Sequence, residues 1–258
     1  MTVCILGAGA FGTALAIALS ETHDIRLWGR NAEEMTKVET TRKNFKLPGP
    51  ILGAKIKITS DAQTAIQGTD FILSVVPLQP TLTILQSLVG YFEGRPLIGC
   101  SKGLDLTTGQ GGYSVLKASY PNGPIGLLTG PSFAADIARG LPTALTLASE
   151  DSQAVSNWQA QLSNDTLRLY VSHDPIGAEL GAALKNVIAI ACGATIGAGL
   201  GESARAALIT RGQAEIMRYA MQLGARPETL AGLSGFGDLC LTCTSEKSRN
   251  YRYGQALG

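Results

Sequence analysis

Hydrophobic positions along the chain fall into two textures. Up to about residue 172, short β-branched and apolar runs alternate with stretches in which apolar side chains recur every three or four positions. The first pattern predicts buried strands and the second amphipathic helices. Strands are expected over residues 2–6, 25–28, 56–59, 71–75, 96–100, 125–129, 143–148 and 167–171, and helices over 10–20, 32–41, 61–67, 79–91, 110–119, 131–138 and 152–162. Strands alternating with helices imply a parallel sheet covered on both faces. Beyond Ser172-His173-Asp174 the sequence becomes rich in Ala, Leu and Gly at helical spacing, and Asp174-Pro175 offers a capping residue with a proline just inside.

The junction of the first strand and helix carries a Gly-rich turn, Gly7-Ala8-Gly9-Ala10-Phe11-Gly12. A G-x-G-x-x-G between a strand and a helix, followed by a second strand, is the unit that binds the pyrophosphate of a dinucleotide. Gly7 permits the turn, Gly9 lets the backbone approach the phosphates, and Gly12 lets the helix pack closely. The helix start adds free N–H groups and the positive end of its dipole. The fold expected is therefore α/β: an N-terminal Rossmann-type dinucleotide-binding domain over residues 1–172 and a C-terminal all-helical domain over 173–258. The chain ends at Gly258 inside helical sequence, so the helical domain is expected to be truncated.

A ribose 2′-hydroxyl is commonly met by a carboxylate at the end of the second strand. Here that place reads Trp28-Gly29-Arg30-Asn31. Arg30 suits a 2′-phosphate through its bidentate fork, so NADP is preferred, with NAD as the alternative. A plain solvated loop charge is the competing reading of Arg30.

Composition narrows the picture. The 258 residues are 45% hydrophobic and 16% charged, with a formal net charge of +1. That balance excludes a disordered chain and gives no electrostatic footprint for nucleic acid. The longest apolar run, 187–200, reads as a buried, tightly packed helix rather than a membrane span, and the N-terminus lacks a leader pattern. Five scattered cysteines point to reduced thiols and a cytoplasmic protein, and Cys240-x-x-Cys243 lacks partners for a metal.

Polar residues recur where strands or helices end. Ser74-Val75-Val76-Pro77, Ser101-Lys102-Gly103 and Gly130-Pro131-Ser132-Phe133-Ala134 each follow a strand, at the edge where open α/β sheets bind ligands. Taken singly, each reads more simply as a turn residue or a solvated charge. Lys185-Asn186 lies within the apolar run 181–190, so its ammonium must reach water or a polar cavity. Gly235-Phe236-Gly237-Asp238-Leu239, Thr242 and Ser248-Arg249-Asn250 add a carboxylate and a group of donors. Asp238 close to Lys185 would give a charge pair; a helix N-cap is its other reading.

Together these segments resemble the NAD(P)-dependent glycerol-3-phosphate dehydrogenase family in its bacterial soluble form. The resemblance runs through GAGAFGTALA (7–16), WGR (28–30), VVP (75–77), SKGL (101–104), GPSFA (130–134), LKNVIAIACG (184–193), AALITRG (206–212), GFGDL (235–239) and SRN (248–250). It implies interconversion of dihydroxyacetone phosphate and sn-glycerol 3-phosphate with NADP or NAD, feeding glycerophospholipid synthesis. It implies Lys185 as the general acid and base, with Lys102 as a second cation at substrate and nicotinamide and Asp238 at the catalytic end. Gly130, Ser132, Asn186 and Thr242 become substrate contacts, and Ser248, Arg249 and Asn250 the phosphate cradle. Ala10, Phe11, Ala134 and Arg249 join the glycines at the cofactor. The family also suggests a homodimer, no metal, no membrane insertion and further C-terminal helices. Two positions depart from the family pattern: Ser203, where Asn is commoner, and Lys46, where an aromatic precedes Leu-Pro. A related β-hydroxyacid dehydrogenase and a dinucleotide-binding sensor without turnover are the rival readings.

Overall fold

The computed structural model describes residues 1–258. Eight strands form one sheet: β1 (Thr2–Leu6), β2 (Asp24–Trp28), β3 (Ile56–Thr59), β4 (Phe71–Ser74), β5 (Leu97–Gly99), β6 (Ile125–Thr129), β7 (Thr143–Ala148) and β8 (Leu167–Ser172), in the order β3-β2-β1-β4-β5-β6-β7-β8. Between them lie α1 (Ala10–Leu19), α2 (Ala32–Thr41), α3 (Ala62–Ile66), α4 (Leu78–Leu88), α5 (Gly112–Ser119), α6 (Ala134–Ala138) and α7 (Ser152–Leu162). After β8 come only helices: α8 (Pro175–Gly197), α9 (Gly201–Gln222), α10 (Pro227–Ala231), α11 (Asp238–Thr244) and α12 (Arg249–Leu257).

The sheet is covered on both faces, and β1 shows why. Its side chains alternate: Val3 and Ile5 join one apolar layer with Leu27, Leu73 and Trp158, while Cys4 and Leu6 join the other with Ile72, Phe92 and Leu127. A strand with no polar face is the signature of a doubly covered sheet. The Leu6↔Ser74↔Gly99 register brings the ends of β1, β4 and β5 to one edge.

The sheet is not wholly parallel, because β7 runs antiparallel to β6, with Leu127 opposite Ala148 and Thr129 opposite Thr146. The helix expected over 131–138 shrinks to the five residues of α6. Such a helix is only about 7 Å long, too short to carry the chain back along a strand of about 17 Å. The chain therefore reverses at the edge it has just reached. This keeps α6 there, where Ile137 packs with Ala14 and Ala18 of α1.

Because β8 is parallel to β7, it exits at the opposite edge of the sheet. Asp174 starts α8 there: its Oδ1 accepts from Gly177 N at 2.8 Å, its Oδ2 from Arg226 N at 2.7 Å. The helix then runs back across the sheet's flank to the ligand edge. By length and composition its 23 residues could cross a membrane. Here it is the spine of the helical part, packed by α9, α11 and α12 and burying Glu179 and Lys185. The run 187–200 is less buried than the sequence suggests: Val187 is 68% exposed and Leu200 66% exposed, and the helix stops at Gly197.

Candidate active site

The glycine turn is built as its spacing requires. Gly7 sits at φ +122°, and a Cβ there would lie 2.9 Å from the Val75 carbonyl carbon. A Cβ on Gly12 would lie 2.0 Å from the Gly7 carbonyl oxygen, so the close approach is to the turn itself. Gly9 begins α1 with open space where a side chain would project, and no side chain caps the helix. The first α1 hydrogen bond is Thr13 N to Gly9 O, which leaves the N–H groups of Ala10, Phe11 and Gly12 outside the helical ladder. An uncapped helix start behind a bare glycine fits a pyrophosphate.

Beside this turn lies a cavity of about 670 Å³, lined by Gly7, Gly9, Trp28, Arg30, Asn31, Glu34 and Lys46 among others. Arg30 is exposed at its rim. Glu34 brings a carboxylate that the strand-end reading did not include, and Lys46 pairs with it at 2.7 Å. Lys46 and Gly9 also line a second cavity of about 790 Å³, which takes in Ala10, Phe11, Gly12, Lys102, Ser132, Ala134, Lys185, Asn186, Arg249 and Asn250. A third, of about 510 Å³, shares Ser132, Lys185, Asn186, Arg249 and Asn250 with the second and adds Thr242, Ser248 and Tyr253. The cavities are thus continuous from the glycine turn to the start of α12.

At the centre of this cleft stands Lys185, 5% exposed. Its Nζ donates to Asp238 Oδ1 at 2.5 Å and to Thr242 Oγ1 at 2.8 Å. Thr242 in turn donates to the Asp238 carbonyl oxygen at 2.6 Å, which fixes its hydroxyl to accept from the lysine. Asp238, 1% exposed, bridges both lysines: its Oδ2 accepts from Lys102 Nζ at 2.8 Å. Asp238 opens α11 directly after a π-helical turn over Leu233–Gly237, so the carboxylate serves the lysines rather than a cap. Burial, then the neighbouring Lys102 charge, pulls the Lys185 ammonium down to about 8; Asp238 works in the opposite direction.

Lys102 reaches this carboxylate from the loop after β5, and its Nζ also donates to the Gly130 carbonyl at 2.9 Å. Gly130 lines none of these three cavities; its carbonyl anchors Lys102 and accepts from Ser132 Oγ at 3.3 Å. On the other side, Asn250 Nδ2 donates to Asn186 Oδ1 at 2.9 Å, tying α12 to α8. Ser248 is the N-cap of α12, its Oγ accepting from Tyr251 N at 3.2 Å. The residues singled out in sequence therefore gather in one cleft, with Arg30 at its far end.

The structure adds residues that sequence reading did not single out for the site: Lys247, Phe133, Tyr253 and Glu34 line it as well. Only Lys247 carried a visible signal, a cation directly before Ser248-Arg249-Asn250. Of the five free cysteines only Cys100 borders the described cavities; Cys192 and Cys243 are buried in the helical part.

Two family models match this chain: the N-terminus of NAD-dependent glycerol-3-phosphate dehydrogenase over residues 2–155 and its C-terminus over 174–258. A glycerol-3-phosphate dehydrogenase [NAD(P)+] of Roseobacter denitrificans is 56% identical over all of this chain and 81% of its own length. The protein of that name from Cereibacter sphaeroides is 55% identical over 98% of this chain and 79% of its own. The crystal structure of glycerol-3-phosphate dehydrogenase from Coxiella burnetii superposes with a TM-score of 0.94 at 36% identity, covering 99% of this chain and 79% of that one. By its sequence, its fold and the charged cleft between sheet and helices, this chain belongs to the NAD-dependent glycerol-3-phosphate dehydrogenase family.

Proposed function

We propose that the cleft reduces dihydroxyacetone phosphate to sn-glycerol 3-phosphate and runs the reverse oxidation, with NADPH preferred over NADH. The observation that carries this reading is the Lys185-Asp238-Lys102 array, two ammonium groups on one buried carboxylate, opening into a cavity that ends at Arg249 and Asn250. Residues 1–172 act as the dinucleotide-binding domain and 173–258 as the substrate domain. The uncapped start of α1 holds the pyrophosphate, and Arg30 takes the 2′-phosphate; the bound nicotinamide supplies or accepts the hydride at C2.

The protein's part is electrostatics and proton transfer. A ketone accepting hydride develops negative charge on its oxygen. Lys185 Nζ, fixed by Asp238 and Thr242, stabilises that charge and delivers a proton to it. In oxidation the neutral amine takes the hydroxyl proton back. Lys102 adds a second positive centre beside the same oxygen, and Asp238 prevents the two lysines from repelling each other out of position. Arg249, Asn250 and the start of α12 hold the substrate phosphate.

A cytoplasmic location, supply of the glycerophospholipid backbone and a homodimer belong to the same proposal; they are supported by the family resemblance and the five free cysteines. Initial rates of NADPH and NADH oxidation with dihydroxyacetone phosphate, against unphosphorylated dihydroxyacetone, test the reading. The phosphate ester is expected to react with a kcat/KM at least about a hundredfold higher, since a bound phosphate forms several charge-assisted bonds. Equal rates on both would remove the phosphate cradle from the account.

A further inference from the structure

Lys247 was not among the residues that sequence reading assigned to the site, yet it lines both the cavity at Lys185 and the one running to the glycine turn. It lies one residue before the N-cap of α12, next to Arg249 and Asn250. Its ammonium bridges to the sheet side of the cleft, donating to Asp136 Oδ1 at 2.8 Å and Oδ2 at 3.0 Å, and stands 5.6 Å from the centre of the Phe133 ring. Phe133 itself lines the substrate cavity. The Lys247 side chain is about half exposed, so its long stem is free to redirect the charge without unfolding anything.

We infer that Lys247 is a second cation for the substrate phosphate, held on Asp136 until the substrate arrives and shared with the phosphate afterwards. The inference rests on the phosphate cradle proposed above. A phosphate monoester carries close to two negative charges at neutral pH, and Arg249 with the start of α12 supplies a single full positive charge. Asp136, in the first turn of α6, lines none of the three cavities but lies beside the cleft through its contact with Lys247. Without Lys247 that carboxylate repels an incoming anion. With it that carboxylate is neutralised before binding, and the cradle gains a donor on binding. Asp136 is then the resting partner that the phosphate displaces, and the aromatic ring beneath keeps the ammonium near the cavity.

A strap between the two sides of the cleft and a phosphate ligand make opposite forecasts for the two ends of this bridge. Steady-state kinetics with dihydroxyacetone phosphate at saturating NADPH, and competitive inhibition by inorganic phosphate, are measured for Lys247→Gln, Asp136→Asn and Arg249→Gln. For Lys247→Gln, KM and the inhibition constant of phosphate are expected to rise about tenfold with kcat within about twofold, the size of one charged hydrogen bond at a half-exposed site. Asp136→Asn is expected to leave KM unchanged or lower it, because the lysine is released toward the phosphate. Equal losses in both variants would make the bridge a strap and overturn the inference, as would an unchanged KM in Lys247→Gln. Arg249→Gln separates the two levels: a raised KM there with none at Lys247 sinks this inference alone. No change at Arg249 sinks the phosphate cradle itself.

Discussion

At the scale of single residues, the proposed chemistry turns on how Lys185 is charged. Burial and Lys102 bring its ammonium down to about 8, whereas Asp238 holds it up. In the proposed mechanism reduction needs the protonated amine, and oxidation needs the neutral one. The kcat/KM for ketone reduction, which reports the free enzyme, is therefore expected to fall as pH rises through about 8, while that for alcohol oxidation climbs over the same range. Removing the carboxylate moves both limbs the same way. In Asp238→Asn the opposing attraction is gone, so the limb shifts below pH 8 and kcat drops by about a hundredfold as the amine loses its charge and its fixed position. pH profiles of the two proteins in each direction test this, and a limb that stays in place would assign the titration to another group. The site's charged core was partly legible in the sequence, because a lysine among Ala, Leu and Ile must reach water or a polar cavity and Asp238 was a candidate partner for it. Lys102 sharing that counter-charge was not, since the two lysines are 83 positions apart and only the folded sheet edge brings them together.

Among the elements, the contact that shapes the site most is α8 against α12. The helices touch backbone to backbone because glycines face each other. A Cβ on Gly193 would lie 2.0 Å from the Tyr251 carbonyl oxygen, and one on Gly254 2.0 Å from the Ile190 carbonyl oxygen. That proximity places Lys185 and Asn186 of α8 beside Arg249 and Asn250 of α12, which share one cavity. Gly193→Ala or Gly254→Ala forces the helices apart, with an expected loss of about 2 kcal/mol in stability and a raised KM for the phosphorylated substrate. Chemical denaturation and steady-state kinetics read the two effects, and a wild-type KM in both variants would unlink this packing from the site. The repeating period of the elements let the sequence place every strand. It could not give the reversal at β7, because a five-residue helix and a crossover helix share one local pattern until their lengths are fixed. Nor could it pair α8 with α12, since a glycine in a helix announces neither its partner nor its face.

For the whole molecule, the question is what fixes the helical part to the sheet so that Lys185 and Lys102 meet one carboxylate. Glu179, two turns before Lys185 on α8, answers part of it. Its carboxylate accepts from the N–H of Tyr113 at 2.8 Å and of Ser114 at 3.3 Å, at the start of α5. It is 8% exposed and has no cation within salt-bridge reach, and burial holds its carboxyl above the ordinary value of 4.5 despite those donors. A raised folded value means that the native state keeps a proton which the unfolded chain releases. The stability from this group is therefore fully present below about pH 4.5 and is lost as pH rises through the folded value. Glu179→Gln keeps an acceptor for the α5 N–H groups and removes the buried charge. Its stability relative to the parent chain is expected to improve steadily as pH rises from about 4.5 toward neutrality. Glu179→Leu leaves the same N–H groups unmatched and is expected to cost about 1–3 kcal/mol, at acid pH above all, where the parent's carboxyl is neutral. Urea unfolding of the three proteins across this range decides the matter. A Glu179→Gln difference that does not change with pH would show the carboxyl to be charged throughout, with α5's dipole, rather than hydrogen bonding to a partly protonated group, joining the two parts.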